Sequence, residues 1–260
     1  MRVDVYLSTF GHAESRKKAR DLIDAGAVKI DGVTVKKASV VINEEVSHEV
    51  EIEEIFKYVS RGGMKLEAAL NAFCINVNGK KAVDVGASTG GFTDCLLKRG
   101  ASRVYSIDAG VGQLHESLIS DGRVVSVEKF NARLLEPSVT DGECDVAVAD
   151  LSFISQTYVI PNISSVLKDG GIFVSLIKPQ FEAGKNALGK GGVVRSGAYR
   201  YLAVKRVVEC ACENGFDILG LIRSPIEGGD GNKEYLAYFV KRCCIKPRIE
   251  DSVIRSITAQ

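Results

Sequence analysis

The chain has 260 residues, enough for one large domain or two smaller ones, and its 45% hydrophobic and 26% charged residues are those of a globular protein in water. No stretch approaches the roughly 20 consecutive apolar residues of a membrane span, and the polar, charged N-terminus does not read as a signal peptide. The net charge of +1 requires any nucleic-acid contact to come from a local patch, and seven cysteines without C-x-x-C spacing, beside three scattered histidines, read as reduced thiols of a cytoplasmic protein with no metal centre.

Residues 1–55 read as a small α+β module. Ser15 is a good N-cap for a helix running from Arg16 to Ala25, and Gly26 is a good stop. Ala19, Leu22 and Ile23 form its apolar stripe. The pair Asp31-Gly32 between two short β-prone runs, 28–30 and 33–35, predicts a hairpin. Val46, His48, Val50 and Ile52 alternate with polar residues, which predicts a half-buried strand. Positive charge gathers here: Arg2, Arg16, Lys17, Lys18, Arg20, Lys29, Lys36 and Lys37 are candidates to track a phosphate backbone. Composition alone does not separate that pattern from a solvated charged face.

A linker is placed at 56–63 and a second domain at 64–245, with a tail over 246–260. A helix is expected from Arg61 to Phe73, with Leu66, Ala69, Leu70 and Phe73 at helical spacing. Lys65 falls in its first turn, where the helix dipole disfavours a cation. From residue 81 apolar runs at 81–85, 103–107, 123–127, 145–149, 171–177, 216–222 and 234–240 alternate with helical stretches, except that only a loop separates the last two. The pattern predicts an α/β fold with an open, mostly parallel seven-stranded sheet and an antiparallel edge pair. Ligands in such folds lie beyond the carboxyl ends of the strands.

That rule selects residues. The first run carries Asp84 and ends in Gly86, Ala87, Ser88, Thr89, Gly90 and Gly91, with Phe92 opening a helix. The glycine spacing is neither the dinucleotide fingerprint nor a P-loop, and it suits a nucleoside cofactor without a pyrophosphate. An ordinary strand-to-helix turn has the same composition. The second run ends at Asp108, 22 positions after Gly86, where a carboxylate can grip ribose hydroxyls. Asn131, after the third run, is placed to face an adenine ring. Asp150 and Lys178 end the fourth and fifth runs, Lys178 beside the rigid Pro179, and Glu234 enters the last run from a glycine turn. Each charge taken alone also fits a surface or capping role, but together on successive strands they point to a site. The glycine-rich 184–195 segment is long enough for a functional loop or lid.

Two resemblances follow from these residues. Arg2-Val3-Asp4 with Leu7, Ser15-Arg16-Lys17-Lys18-Ala19 and Gly26 to Gly32 resemble the small RNA-binding domain of ribosomal protein S-four and of pseudouridine synthases. The stretches 60–66, 84–93, 148–155, Lys178-Pro179-Gln180-Phe181-Glu182, 191–194 and Gly231-Asn232-Lys233-Glu234-Tyr235, in this order, resemble the TlyA family, the haemolysin-A-like ribosomal RNA methyltransferases. The resemblance implies a Rossmann-like class I methyltransferase domain similar to the FtsJ type, S-adenosylmethionine as cofactor, and methylation of a ribose 2′-hydroxyl of cytidine in ribosomal RNA within a ribosomal subunit. It implies that Lys65, Asp150, Lys178 and Glu234 form a catalytic tetrad, with Asp150 also beside the cofactor. Three other functions stand against this one. They are a base methyltransferase, which does not need Lys178; a non-catalytic RNA-binding assembly factor; and a membrane-damaging protein, for which the sequence offers no spanning or amphipathic segment.

Overall fold

The structure is a computed structural model that describes residues 1–24, 26–52, 57–228, 231–242 and 249–259. It divides into two compact units, Met1–Lys57 and Tyr58–Gln260.

In the first unit, helix α1 (Val3–Thr9) packs on helix α2 (Arg16–Asp24), burying Val3, Leu7, Ala19, Leu22 and Ile23 together. Helix α1 was not expected. Strands β1 (Val28–Ile30) and β2 (Val33–Thr34) form the predicted hairpin. Asp31 and Gly32 have φ of 52° and 75°, the pair of left-handed residues that a tight two-residue hairpin turn requires. The expected strand over 46–52 is only β3 (Val50–Ile52), antiparallel to β1. The alternation misled because Asp31 captures the segment before it: Asp31 Oδ1 accepts from the Glu49 amide at 2.9 Å, and Oδ2 lies 2.7 Å from His48 Nδ1. The chain therefore turns around His48, and Val46 stays exposed.

In the second unit the linker assigned to 56–63 is largely structured. Tyr58 is buried, and residues 61–63 are the first turn of helix α3 (Arg61–Ala72). Gly63 allows this approach, since a Cβ there would overlap the Tyr58 ring. Residue 56 lies outside the described residues. Lys65 is the fifth residue of α3, beyond the first turn in which it was expected.

The sheet follows the apolar runs: β4 (Lys81–Val85), helix α4 (Gly91–Lys98), β5 (Arg103–Ile107), helix α5 (Glu116–Ile119), β6 (Val124–Val127), β7 (Cys144–Ala149), helix α6 (Ile160–Ser165), β8 (Leu167–Ile177), helix α7 (Pro179–Glu182), helix α8 (Gly197–Glu213), β9 (Phe216–Arg223) and β10 (Tyr235–Lys241). The strand order is β6-β5-β4-β7-β8-β10-β9. β10 is antiparallel to both neighbours, and the other pairs are parallel. β8 starts before its apolar run, because Leu167 pairs with Cys144 ahead of an irregularity at Gly170, whose φ is 77°.

Alternation along β4 serves two cores. Ala82 packs with Leu66, Leu70, Phe92 and Leu96 under α3 and α4. Val83 and Val85 pack on the other face with Phe173, Val204 and Val207 under α8. The residues assigned to a tail include helix α9 (Asp251–Ala259), which buries Ile254 and Thr258 and accepts Arg200 Nε at the Thr258 carbonyl, 3.1 Å away. It belongs to the second unit. Crossovers leave β4 in opposite directions toward β5 and β7, so the sheet switches direction at the glycine turn, where open α/β sheets bind ligands.

Candidate functional site

Each strand end delivers its residue by register. Val85 pairs with Ala149, so Gly86 and Asp150 leave the sheet side by side. Gly86 has φ of 86°, and a Cβ there would stand 2.9 Å from the Asp150 carbonyl oxygen. Only glycine meets both demands. Tyr235 pairs with Ile177, so the antiparallel register carries Glu234 opposite Lys178.

The four charges meet as two ion pairs. Lys65 Nζ donates to Glu234 Oε2 at 2.5 Å, with both residues buried. Lys178 Nζ lies 2.5 Å from Asp150 Oδ1 and donates to Ser152 Oγ at 2.8 Å. This second pair is the more open one: the Lys178 side chain is 11% exposed and that of Asp150 25%. Lys178 begins helix α7 with Pro179 as the first helical residue, which fixes the backbone on its C-terminal side. Glu234 is held closely from the turn before it, since a Cβ at Gly228 would overlap its carboxylate.

Three further residues at this mouth went unread in the sequence. Ser152 takes a Lys178 proton, as above. Phe153 is 93% exposed at φ 63°, a left-handed conformation uncommon for a bulky residue, and its ring lies 5.2 Å from that of Phe181. Beneath them the buried Glu182 accepts from Ser155 Oγ at 2.5 Å and from the Gln156 amide at 2.8 Å. Gln156 in turn donates to the Leu176 carbonyl, 2.6 Å away. This buried set ties the end of the 150–156 loop to β8. Burial pushes the Glu182 carboxyl above its ordinary range, against the opposing pull of those two donors.

Beside the glycine turn, Asp84 is completely buried. Its Oδ2 accepts from Thr93 Oγ1 at 2.7 Å, while Oδ1 has no hydrogen-bond partner. Burial pushes its pKa up to about 7. Thr93 opposes the rise, and the charges of Asp150 and Asp108 add to it. Asp108 accepts from the amides of Ser88 at 2.8 Å and Gly110 at 2.7 Å. Ala87, Ser88, Asp108, Gly110, Gln113 and Glu128 line a cleft of about 10 Å³. Gln113 fills much of it: a Cβ at Gly110 would overlap its carboxamide, and its Oε1 accepts from Ser88 Oγ at 3.2 Å. Thr89, Gly90, Gly91 and Phe92 continue the turn into α4, with Gly90 at φ 93° and Phe92 buried. Asn131 is not at the cleft. Its Oδ1 accepts from the Arg133 amide at 3.1 Å and caps a short 3-10 turn. The 184–195 segment is tied down by Asn232 Oδ1, which accepts from the Val194 amide at 3.0 Å. Among the described residues no group of three or more His, Cys, Asp or Glu is placed to hold a metal ion, and no helix is long and apolar enough to cross a membrane.

In the first unit, Arg2, Arg16 and Arg20 all converge on Asp4. Burial opposes ionisation of Asp4, but these guanidinium groups hold its carboxyl well below the ordinary carboxylate range. Lys17, Lys36 and Lys37 are exposed, Lys18 is half-buried, and Lys29 lies 3.9 Å from Glu51.

Comparison with known proteins agrees with this geometry. The sequence model of FtsJ-like methyltransferases matches residues 58–241, and that of the S4 domain matches residues 1–46. Hemolysin A of Brachyspira hyodysenteriae is 44% identical over 241 residues, covering 92% of this chain and all of that protein. The 16S/23S rRNA (cytidine-2′-O)-methyltransferase TlyA of Mycobacterium tuberculosis is 42% identical over 260 residues, 99% of this chain and 97% of that one. A structure described as a hemolysin from Streptococcus thermophilus superposes with a TM-score of 0.80 at 39% identity, over all of this chain and 94% of that one. The S-adenosylmethionine-dependent methyltransferase of Listeria monocytogenes, at 18% identity and a TM-score of 0.51 over 68% of this chain and 98% of that one, shares the fold. With a family model spanning most of its length and relatives above 40% identity along nearly all of it, the chain belongs to the FtsJ-like methyltransferases and, within them, to the hemolysin A/TlyA family.

Proposed function

We propose that this protein transfers a methyl group from S-adenosylmethionine to the 2′-hydroxyl of a cytidine ribose in ribosomal RNA, within a ribosomal subunit. The observation that carries the proposal is the Lys178–Asp150 pair, 2.5 Å apart at the carboxyl ends of adjacent strands and beside the glycine turn. Ribosomal RNA as substrate places the activity in the cytoplasm.

The residues around the turn fit the cofactor chemically. The partnerless Oδ1 of Asp84 is an acceptor for a cationic group, and Asp108 stands where ribose hydroxyls are bound in such folds. Asp84, Gly86, Ala87, Ser88, Thr89, Gly90, Gly91, Phe92, Asp108 and Asp150 would hold the cofactor. Asn131 has its carboxamide oxygen committed to Arg133, so only its amide nitrogen remains for an adenine edge. Gln113 must swing aside for a nucleoside to enter, because the cleft it fills is far smaller than the roughly 300–1,000 Å³ of ordinary ligand pockets. When bound, S-adenosylmethionine supplies an already activated methyl group.

A ribose hydroxyl is a weak nucleophile until it is aligned and its proton is drawn away. Lys178 is the group for that task. Asp150 and Ser152 fix the position of its ammonium, and the Phe181 ring lies below it, 5.9 Å from the nitrogen. Lys65, held by Glu234, adds positive potential from inside the fold. The exposed Phe153 ring offers a face on which a base can stack.

The test is incubation with separated ribosomal subunits and S-adenosylmethionine, followed by nuclease digestion and mass spectrometry. A methyl group on a cytidine ribose is expected. A methyl group on a base makes the protein a base methyltransferase instead.

A further inference from the structure

Asp4 is the one carboxylate in the first turn of α1, and it is completely buried beside Val3 and Leu7 against α2. A buried carboxylate is tolerated only when it is paired. Arg2, which precedes α1, donates from Nε to Oδ1 at 2.9 Å and from Nη2 to Oδ2 at 3.3 Å. Arg16 Nη2 and Arg20 Nε donate to Oδ2 at 3.2 and 2.9 Å. Arg16 and Arg20 are one turn apart on α2, so both reach the same carboxylate. All three arginine side chains remain about half exposed, at 45%, 54% and 51%. Each guanidinium carries five N–H donors. Asp4 accepts two from Arg2 and one each from Arg16 and Arg20.

We propose that Asp4 is a positioning residue for RNA binding: without touching RNA, it sets Arg2, Arg16 and Arg20 into a fixed three-pronged receptor for backbone phosphates of a folded RNA. The proposal rests on the reading of RNA as substrate given above. Its physical basis is preorganisation. A solvated arginine loses rotamer freedom when it grips a phosphate, and that loss weakens binding. Here the three guanidinium groups are ordered when the unit folds, each with donors still directed away from Asp4. Planar forks so held suit phosphate oxygens better than mobile point charges do.

The opposing effect has the opposite sign, so the two can be separated. Asp4 places a negative charge inside a basic patch, and on charge alone its removal should tighten RNA binding.

The experiment measures binding of purified ribosomal RNA, in magnesium, to the full-length protein and to Asp4→Asn, at salt concentrations from about 50 to 300 mM. Asp4→Asn adds one net positive charge, yet it is expected to bind about tenfold more weakly, with the slope of log Kd against log salt shallower by about one. S-adenosylmethionine affinity should not change. Equal or tighter RNA binding by Asp4→Asn overturns the proposal.

If Asp4→Asn loses the fold of the first unit, seen by circular dichroism, the double variant Arg2→Lys/Arg20→Lys decides. It keeps every charge but lacks the two Nε donors to Asp4. It should bind several-fold more weakly, and binding equal to wild type overturns the proposal. A wild-type protein that fails to bind RNA at all overturns the RNA reading itself, and is recognised because every variant is then equally silent.

Discussion

Lys178 Nζ lies 2.5 Å from Asp150 Oδ1, although the two residues belong to different strand ends joined by a loop, a short helix and an eleven-residue strand. The pair is only partly exposed, so Asp150 sets where the ammonium sits. Asp150→Asn should lower methyl transfer about 100-fold, within the range of a misplaced acid–base group. It should also lower the pKa of Asp84, because the Asp150 charge is one of the influences that raise it. Steady-state kinetics and the pH dependence of stability read the two effects separately.

The Lys65–Glu234 pair is buried, and its stability and functional roles come apart under mutation. Glu234→Ala strands a buried ammonium and should cost about 3–5 kcal/mol in urea unfolding. The double variant Lys65→Met/Glu234→Leu removes both charges and should recover most of that stability. Activity should stay low in both. Restored activity in the double variant would remove the pair from the chemistry.

Asp84 gives a pH signature. Its folded pKa is raised to about 7, whereas an unfolded aspartate titrates near 4. Between those values the folded protein keeps a proton that the unfolded chain releases, so stability falls as pH rises from about 4 to about 7. Asp84→Asn removes this slope. In cofactor-free protein the variant should melt several degrees above wild type at pH 8 and close to it at pH 4.5. Parallel melting curves across that range would contradict the assignment. The same carboxylate should make S-adenosylmethionine bind more tightly to wild type as pH rises through about 7, and Asp84→Asn should abolish that dependence.

Gly228 is the position where a small change should displace a distant charge. Its Cβ would overlap the Glu234 carboxylate, which is already committed to Lys65. Gly228→Ala should destabilise the fold by about 1–3 kcal/mol and reduce turnover about tenfold, with S-adenosylmethionine affinity unchanged. Wild-type turnover would mean that Glu234 has room to adjust.

The sheet was legible because its strands are buried on both faces and so appear as apolar runs. Asp150 and Lys178 stood out because a charge directly ending such a run sits at the mouth of the fold. Other features had no comparable signal. Helix α1 is short, and its Val3, Tyr6 and Leu7 spacing spans barely two turns. The alternation through Val46 and His48 imitated a strand, and only the long-range capture of His48 by Asp31 defeats it. The partnership of Lys65 with Glu234 bridges 169 residues, and no local pattern encodes it. Asn131 looked like a cofactor residue from its place after a strand, but its side chain is consumed by the turn it caps. Gln113, Phe153 and Glu182 acquire their roles from backbone geometry and burial that composition does not report.

The most direct test of the account is single-turnover methyl transfer by Lys178→Ala on ribosomal subunits, with S-adenosylmethionine binding measured in parallel. The account predicts loss of transfer by at least about 100-fold with cofactor affinity close to wild type. Transfer at the wild-type rate would contradict it, because the 2′-hydroxyl would then be activated without the group placed here to do so.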